Sequence, residues 1–322
     1  MNKQHIVMLA LLAAYAGATC AQSYPARPIR MVVGFPPGGG TDVVARIIAP
    51  RLGEQLGQTV IIDNRPGATG TVAAGTVANA PPDGYTLMMG HVSVNAVAPS
   101  LFAKLPYDAE KDFAPVTLTA SVPHFVSTHP SLPVDSLRAL IAYVKARPGQ
   151  LTFPSAGNGS TPHLAGELFK SMAGVNLVHV PYKGAGQSMQ DLIGGHHQVA
   201  FDTLPACAPF VRNGRLRALA VTTAHRLSEF PQVPTAEEAG LPGYRMTTWY
   251  GVFAPARTPS AIVDRLHAEI AKVMQAPDVR PRLVEIGVDD TVTRTPAEFA
   301  ALVHADIARY AKVVREAGLR ID

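Results

Sequence analysis

The chain has 322 residues, of which 16% are charged and 47% apolar, the balance of a folded protein with ample core and not of a disordered one. Its formal charge of +4 is small for this length and is not gathered into runs, which excludes an evident nucleic-acid surface. The 28 prolines and 27 glycines point to many short connections between elements.

The first residues read as a secretory signal peptide spanning 1–21: Lys3 supplies the positive end, residues 6–18 form a short apolar run, and small residues follow at Thr19 and Ala21. The run is shorter than the ~20 residues that cross a bilayer, so export with cleavage near Ala21 is expected. Lipidation of Cys20 is the rival reading. Without Cys20, Cys207 is the remaining thiol, and stability has to come from the core and not from a disulfide.

Residues 29–35 are apolar and β-prone and lead into Pro36, Pro37, Gly38, Gly39 and Gly40, after which Thr41 or Asp42 is placed to cap a helix running to Gly57. No Lys or Arg lies between Phe35 and Ala45, so an anion there would be held by backbone amides at the positive end of a helix. A tight structural turn is the competing reading. The loop lacks the Lys-Ser/Thr of a P-loop and the spacing of a dinucleotide fingerprint. Strands are expected at 59–63 and 85–90 around a small-residue helix at 69–79, the alternation that builds a parallel sheet. Ser93 and Asn95 follow the third strand, where they can read a ligand or cap the next helix.

Residues 113–129 change the pattern to two β-rich stretches without a helix, read as a crossing into a second lobe. Asp135 or Ser136 then caps a helix to 147, and a strand at 151–153 runs into a second neutral loop. That loop carries Ser155, Gly157, Asn158, Gly159, Ser160, Thr161 and His163, with Pro162 in a favourable first-turn position and no Lys or Arg from Ser155 to Phe169. Two such amide-rich helix starts point to one shared anion site between lobes. Further strands fall at 177–181, 198–202 and 216–223, with a helix at 185–193. Asp202 ends its strand as a ligand acceptor or as the cap of a helix starting near Pro205. Residues 244–255 read as the return crossing, and helices at 260–275, 281–287 and 296–318 close the chain, the last opened by a Thr295/Glu298 capping box. The lobes are then 22–123 with 248–322, and 124–247.

Enzyme signatures are missing: there is no nucleophile elbow, H-E-x-x-H, C-x-x-C or Walker loop. His163 and Glu167 are spaced for a shared metal but lack a third ligand, so His163 is expected to donate to the ligand or cap its helix. His196 and His197 read as solvated loop residues, and Lys183 lacks the desolvated setting of a nucleophile. Neither a cofactor nor a metal is expected.

The segments PPGGGTD (36–42), DNRPGATG (63–70), PPDGYTLMMG (81–90), LPYDAEKDFAPVTL (105–118), GNGSTPHLAGELF (157–169), VPYKGAGQSMQDLIGG (180–195), and RALAVTTAHR through PTAEEAGLPGY (217–244) closely resemble the substrate-binding proteins of tripartite tricarboxylate transporters, the Bug family. The resemblance implies an α/β periplasmic receptor with the two-lobed Venus flytrap fold, each lobe a mostly parallel sheet flanked by helices. It implies that the loops at 35–42 and 155–163 hold a ligand carboxylate, partly through ordered water, while Ser93, Asn95 and Asp202 read the rest. Phe35, Pro36 and Phe153 are expected to cover the ligand's apolar body. One departure is Thr203, where many relatives carry Asn, with Cys207 in the following helix. The implied ligand is a dicarboxylate, tricarboxylate, acidic amino acid or aromatic acid. The implied partners are membrane permease subunits or, alternatively, a sensor kinase. An exported enzyme acting on a carboxylic acid is a further alternative. The receptor is expected to act as a monomer.

Overall fold

The computed structural model describes residues 24–288, 294–316 and 318–320, so the expected signal peptide and Cys20 lie outside the described residues. Strand β1 (Ile29–Val33) pairs in parallel with β2 (Val60–Asn64) on one side and β3 (Thr86–His91) on the other. Their near-continuous apolar sequence has a physical reason, because both faces of the sheet are covered. Ile29, Met31, Val33, Leu87 and Met89 enter one core, whereas Val32 and Met88 point into another. The first core is closed by α1 (Gly40–Leu56) and the second partly by α2 (Thr71–Ala78). The helix expected at 69–79 starts later than its small residues suggest, because Thr69 adopts φ 56° in a tight turn before it.

Two long strands connect the halves. The β-rich stretches expected at 113–129 form one strand, β4 (Phe113–Thr128), which absorbs Pro115 and Pro123 at irregular pairing and at a change of partner. Up to Pro123 it pairs antiparallel with the return strand Thr247–Pro255; from His124 on it pairs antiparallel with Val199–Thr203 and Arg217–Val221. The antiparallel pairs thus come from the crossing strands, and the parallel pairs from the strand-helix-strand units. In chain order the elements after β4 are α4 (Leu137–Lys145), β5 (Thr152–Ser155), α5 (Thr161–Ala173), β6 (Val178–Pro181), α6 (Ala185–Ile193), β7 (Val199–Thr203), α7 (Leu204–Arg212), β8 (Arg217–Val221) and β9 (Thr247–Pro255). Between β3 and β4 the chain makes a π-helical turn at Ser93–Val97 and the short α3 (Ala98–Leu101). The chain closes with α8 (Ser260–Gln275), α9 (Arg280–Glu285) and α10 (Pro296–Glu316).

Helix α10 is locked behind the crossing strands. Thr295 and Glu298 form the expected capping box, with Glu298 Oε2 accepting from Thr295 N at 2.9 Å. Phe299 wedges between Trp249 and Phe253, and Trp249 Nε1 donates to Asp306 Oδ2 at 2.7 Å. Gly251 makes this approach possible, since a Cβ there would lie 2.2 Å from Phe299 Cζ and 3.0 Å from the Thr117 carbonyl oxygen. Gly251→Ala should therefore lower unfolding free energy by about 1–3 kcal/mol, an overpacking cost, read as a lower urea midpoint at unchanged slope.

Candidate functional site

The first glycine loop is held from beneath by a buried acid. Asp42 Oδ2 accepts from Gly38 N and from Arg46 Nε, both at 2.9 Å, and its Oδ1 accepts from Asn64 Nδ2 at 2.8 Å. Burial alone would raise this carboxyl, but the hydrogen bonds from Arg46, Gly38 and Asn64 outweigh it and hold the group below its usual range. Gly38 sits at φ +82°, so the turn requires glycine there. Helix α1 begins at Gly40 with Gly39 as its cap, and neither Thr41 nor Asp42 supplies a side-chain cap. The N–H groups of Gly40, Thr41 and Asp42 consequently have no partner one turn back. Tyr250 on β9 closes over this end: a Cβ on Gly40 would be 2.5 Å from its hydroxyl oxygen, and burial keeps that hydroxyl protonated.

The second loop is braced by its own side chains. Ser155 Oγ accepts from Gly157 N at 3.1 Å and bonds His179 Nε2 at 2.7 Å, and Ser160 Oγ donates to the Gly157 carbonyl at 2.7 Å. His163 Nδ1 accepts from Gly159 N at 3.0 Å, and its ring stacks on His179 at 3.8 Å between centroids. Desolvation leads the shifts that push His163 down to about 4 and His179 to about 3, so both rings are neutral at pH 7. His163 thus serves the loop itself. Asn158 is bound across the cleft, its carbonyl accepting from Thr69 Oγ1 at 2.9 Å. Thr161 opens α5, and its hydroxyl bonds that of Thr248 on β9 at 2.7 Å, which in turn meets His124 Nε2 at 2.8 Å. His124 is neutral, desolvation holding it near 4, and its Nδ1 faces the Phe201 carbonyl at 3.1 Å.

These loops border one cavity of about 790 Å³. Of the residues singled out in the sequence, Phe35, Pro36, Gly38, Gly39, Gly40, Thr41, Ser160, Thr161 and Asp202 line it. Asp42, Ser155, Gly157, Asn158, Gly159 and His163 stand behind as the frame of the two loops. Ser93 and Asn95 are also set back: Ser93 N donates to His91 Nδ1 at 3.0 Å, and Asn95 Oδ1 accepts from His91 N at 3.2 Å. They orient His91, whose ring lines the cavity between Phe35 and Tyr250. Burial lowers His91 to about 3, and since Nδ1 is an acceptor, the neutral ring carries its proton on Nε2. Phe153, expected to cover the ligand, is instead fully buried against Phe201, His179 and Gly166.

Two further helix starts reach the cavity. One is α6, entered through Pro181, Tyr182, Lys183 and Gly184; the other is α7, entered through Asp202 and Thr203. The first repeats the same grammar of strand, proline and glycine before a helix, a signal present in the VPYKG segment. None of the four helix starts at the cavity carries a side-chain cap, whereas Ser136 caps α4 by accepting from Ala139 N. Lys183 is the one basic side chain among the lining residues and is exposed on the wall. Asp202 is buried, accepts on Oδ1 from Thr203 N at 2.7 Å, and burial raises its carboxyl to about 6. The cap of α7 is Thr203 and not Asp202. His197, expected in solvent, is buried and bonds Thr152 Oγ1 and Tyr182 Oη, both at 2.8 Å, which braces β5 against the α6 loop.

Residues 44–319 match the family described as tripartite tricarboxylate transporter family receptor. Protein BugT of Bordetella pertussis is 39% identical over 310 residues, 96% of this chain and 95% of its own. A solved R. palustris protein with adipate is 41% identical with a TM-score of 0.88, covering 92% of this chain and 99% of that one. MatC from Rhodopseudomonas palustris, solved with bound malate, is 36% identical with a TM-score of 0.83, covering 90% of this chain and 100% of that one. The four uncapped helix starts, the cavity they enclose and these similarities agree: the chain belongs to the receptor family of the tripartite tricarboxylate transporters.

Proposed function

We propose that this protein is a periplasmic receptor that captures a small organic acid between two lobes and delivers it to the permease of a tripartite tricarboxylate-type transporter. The observation that carries this reading is the convergence of uncapped helix N-termini on one cavity with a single basic side chain. Backbone N–H groups without partners need an acceptor, and a carboxylate supplies two oxygens with charge of the sign that the helix ends favour. Charge-assisted hydrogen bonds contribute about 1.5–3 kcal/mol each, so four or five of them, less ordering costs, give affinities of about micromolar or better. Phe35, Pro36, Pro37 and Pro162 line the rest and suit an apolar linker or ring.

The similarity to proteins solved with adipate and malate supports a carboxylate as ligand. Binding without turnover is the reading for this chain, since the basic Nδ1 atoms of His91 and His163 are occupied by the backbone N–H groups of Ser93 and Gly159. The lobes are residues 22–123 with 248–322, and residues 124–247, a division supported by the change of partner along β4 between Pro123 and His124. Export with removal of the signal peptide near Ala21, and action as a monomer, complete the proposal.

A thermal-shift screen of the mature protein against adipate, malate, glutamate, citrate and benzoate tests it. An acid at about 100 times its Kd should stabilise the protein by about 2.7 kcal/mol, with the corresponding amide inert. Equal shifts with acid and amide would contradict the reading. Gly40→Ala, which drives a methyl group against the Tyr250 hydroxyl at the cavity wall, should weaken the best acid at least tenfold in calorimetry while circular dichroism is unchanged. Lys183→Met should weaken dianions more than monoanions, with a reduced dependence on salt.

A further inference from the structure

Asp202 is an acid in the wall of a cavity otherwise rich in donors. It is 6% exposed, at the carboxyl end of β7. Its Oδ1 accepts from Thr203 N at 2.7 Å and from Thr203 Oγ1 at 3.3 Å, and among the described residues nothing donates to Oδ2 and no basic group forms an ion pair with it. The groups packed around it are uncharged. From β9 comes Tyr250, held protonated by burial and by this carboxylate; from α7 comes Cys207, its thiol pushed up by burial and by this carboxylate. His124, on β4 opposite Thr203, is neutral, as is His91 on β3. Lys183 at the start of α6 is the one cation among the lining residues, and it is exposed. Desolvation, opposed by the two hydrogen bonds from Thr203, lifts the Asp202 carboxyl to about 6.

A carboxylate captured by the helix starts brings a second negative charge into the same low-dielectric space. Two carboxylates sharing such a site do not both stay ionised, and one of them takes a proton. We propose that Asp202 makes this receptor bind its acid together with one proton: Oδ2, protonated from solvent on capture, donates to a carboxylate oxygen of the ligand. No covalent bond changes, and the proton returns to solvent when the acid leaves. Thr203 selects the oxygen, since its N–H and hydroxyl occupy Oδ1. Asp202 thereby discriminates among acids. An acid whose second carboxylate reaches Oδ2 is bound together with the proton, whereas one that presents an ammonium or hydroxyl group donates to the ionised Asp202 and is bound without it. This inference rests on the cavity being a carboxylate site.

The test is calorimetric titration of the mature protein at pH 7.5 in HEPES and in Tris, whose ionisation enthalpies differ, using whichever acid of the panel gives the largest thermal shift. Expected are an uptake approaching one proton per acid and an affinity that falls toward tenfold per unit from pH 7 to pH 8, where the acid itself is fully ionised. Asp202→Asn, which keeps an acceptor for Thr203 and supplies a fixed donor, should bind with no proton uptake and a flat pH profile. Wild-type binding with the same heat in both buffers overturns the inference and leaves the carboxylate reading intact. So does uptake that survives in the Asn variant. Failure of every acid in the panel to bind overturns both.

Discussion

Everything in this molecule turns on hydrogen-bond donors that the fold leaves without acceptors. The first turn of a helix has N–H groups that its own backbone cannot satisfy, and most chains quench them with a serine, threonine or aspartate side chain. Here four helices end their strand-to-helix turns in glycine, serine or threonine caps that make no such bond, and all four border one cavity. In the proposed function the site is therefore made of backbone, with an affinity for negative charge set by where the turns are aimed. A cavity built this way needs little buried cationic charge, which avoids the desolvation cost of burying an arginine or lysine.

Aiming the turns requires rigidity beneath them, and the polar residues that do not touch the cavity provide it. Asp42 looks misplaced at an anion site until its three hydrogen bonds are counted; paired with Arg46 and Asn64, it ties the glycine loop to β2. His163 and Ser155 do the same for the second loop by accepting from Gly159 and Gly157. The chain of hydroxyls from Thr161 through Thr248 to His124 couples α5 to both crossing strands, so the start of that helix is referenced to the segment joining the halves. Across the mouth, the Thr69 to Asn158 hydrogen bond brings the rims together.

Much of this was legible in the sequence, for local reasons. Helices 185–193 and 260–275 were readable to the residue because glycine or proline marks their ends, and the two neutral glycine loops announced themselves by composition. What stayed hidden depends on packing. Pro115 and Pro123 disguised a single long strand as two, since only its irregular pairings make them tolerable. The role of the α6 start as a wall of the cavity is disguised because Lys183 breaks the pattern of loops without cations. His91 and Tyr250 lie on strands, and which strand residues turn toward a cavity is decided by the neighbouring layer. The bonds of Ser93 N and Asn95 Oδ1 to His91 are likewise invisible in the spacing of the chain.

The most direct measurement of the central claim is the amide spectrum of the ¹⁵N-labelled mature protein during titration with the acid that stabilises it most. The account predicts that the N–H resonances of Gly40, Thr41, Thr161 and Ala185 shift downfield together and gain protection from solvent exchange as the site fills. Saturable binding that leaves these four amides unmoved, with the changes confined to side chains such as Lys183, would contradict it.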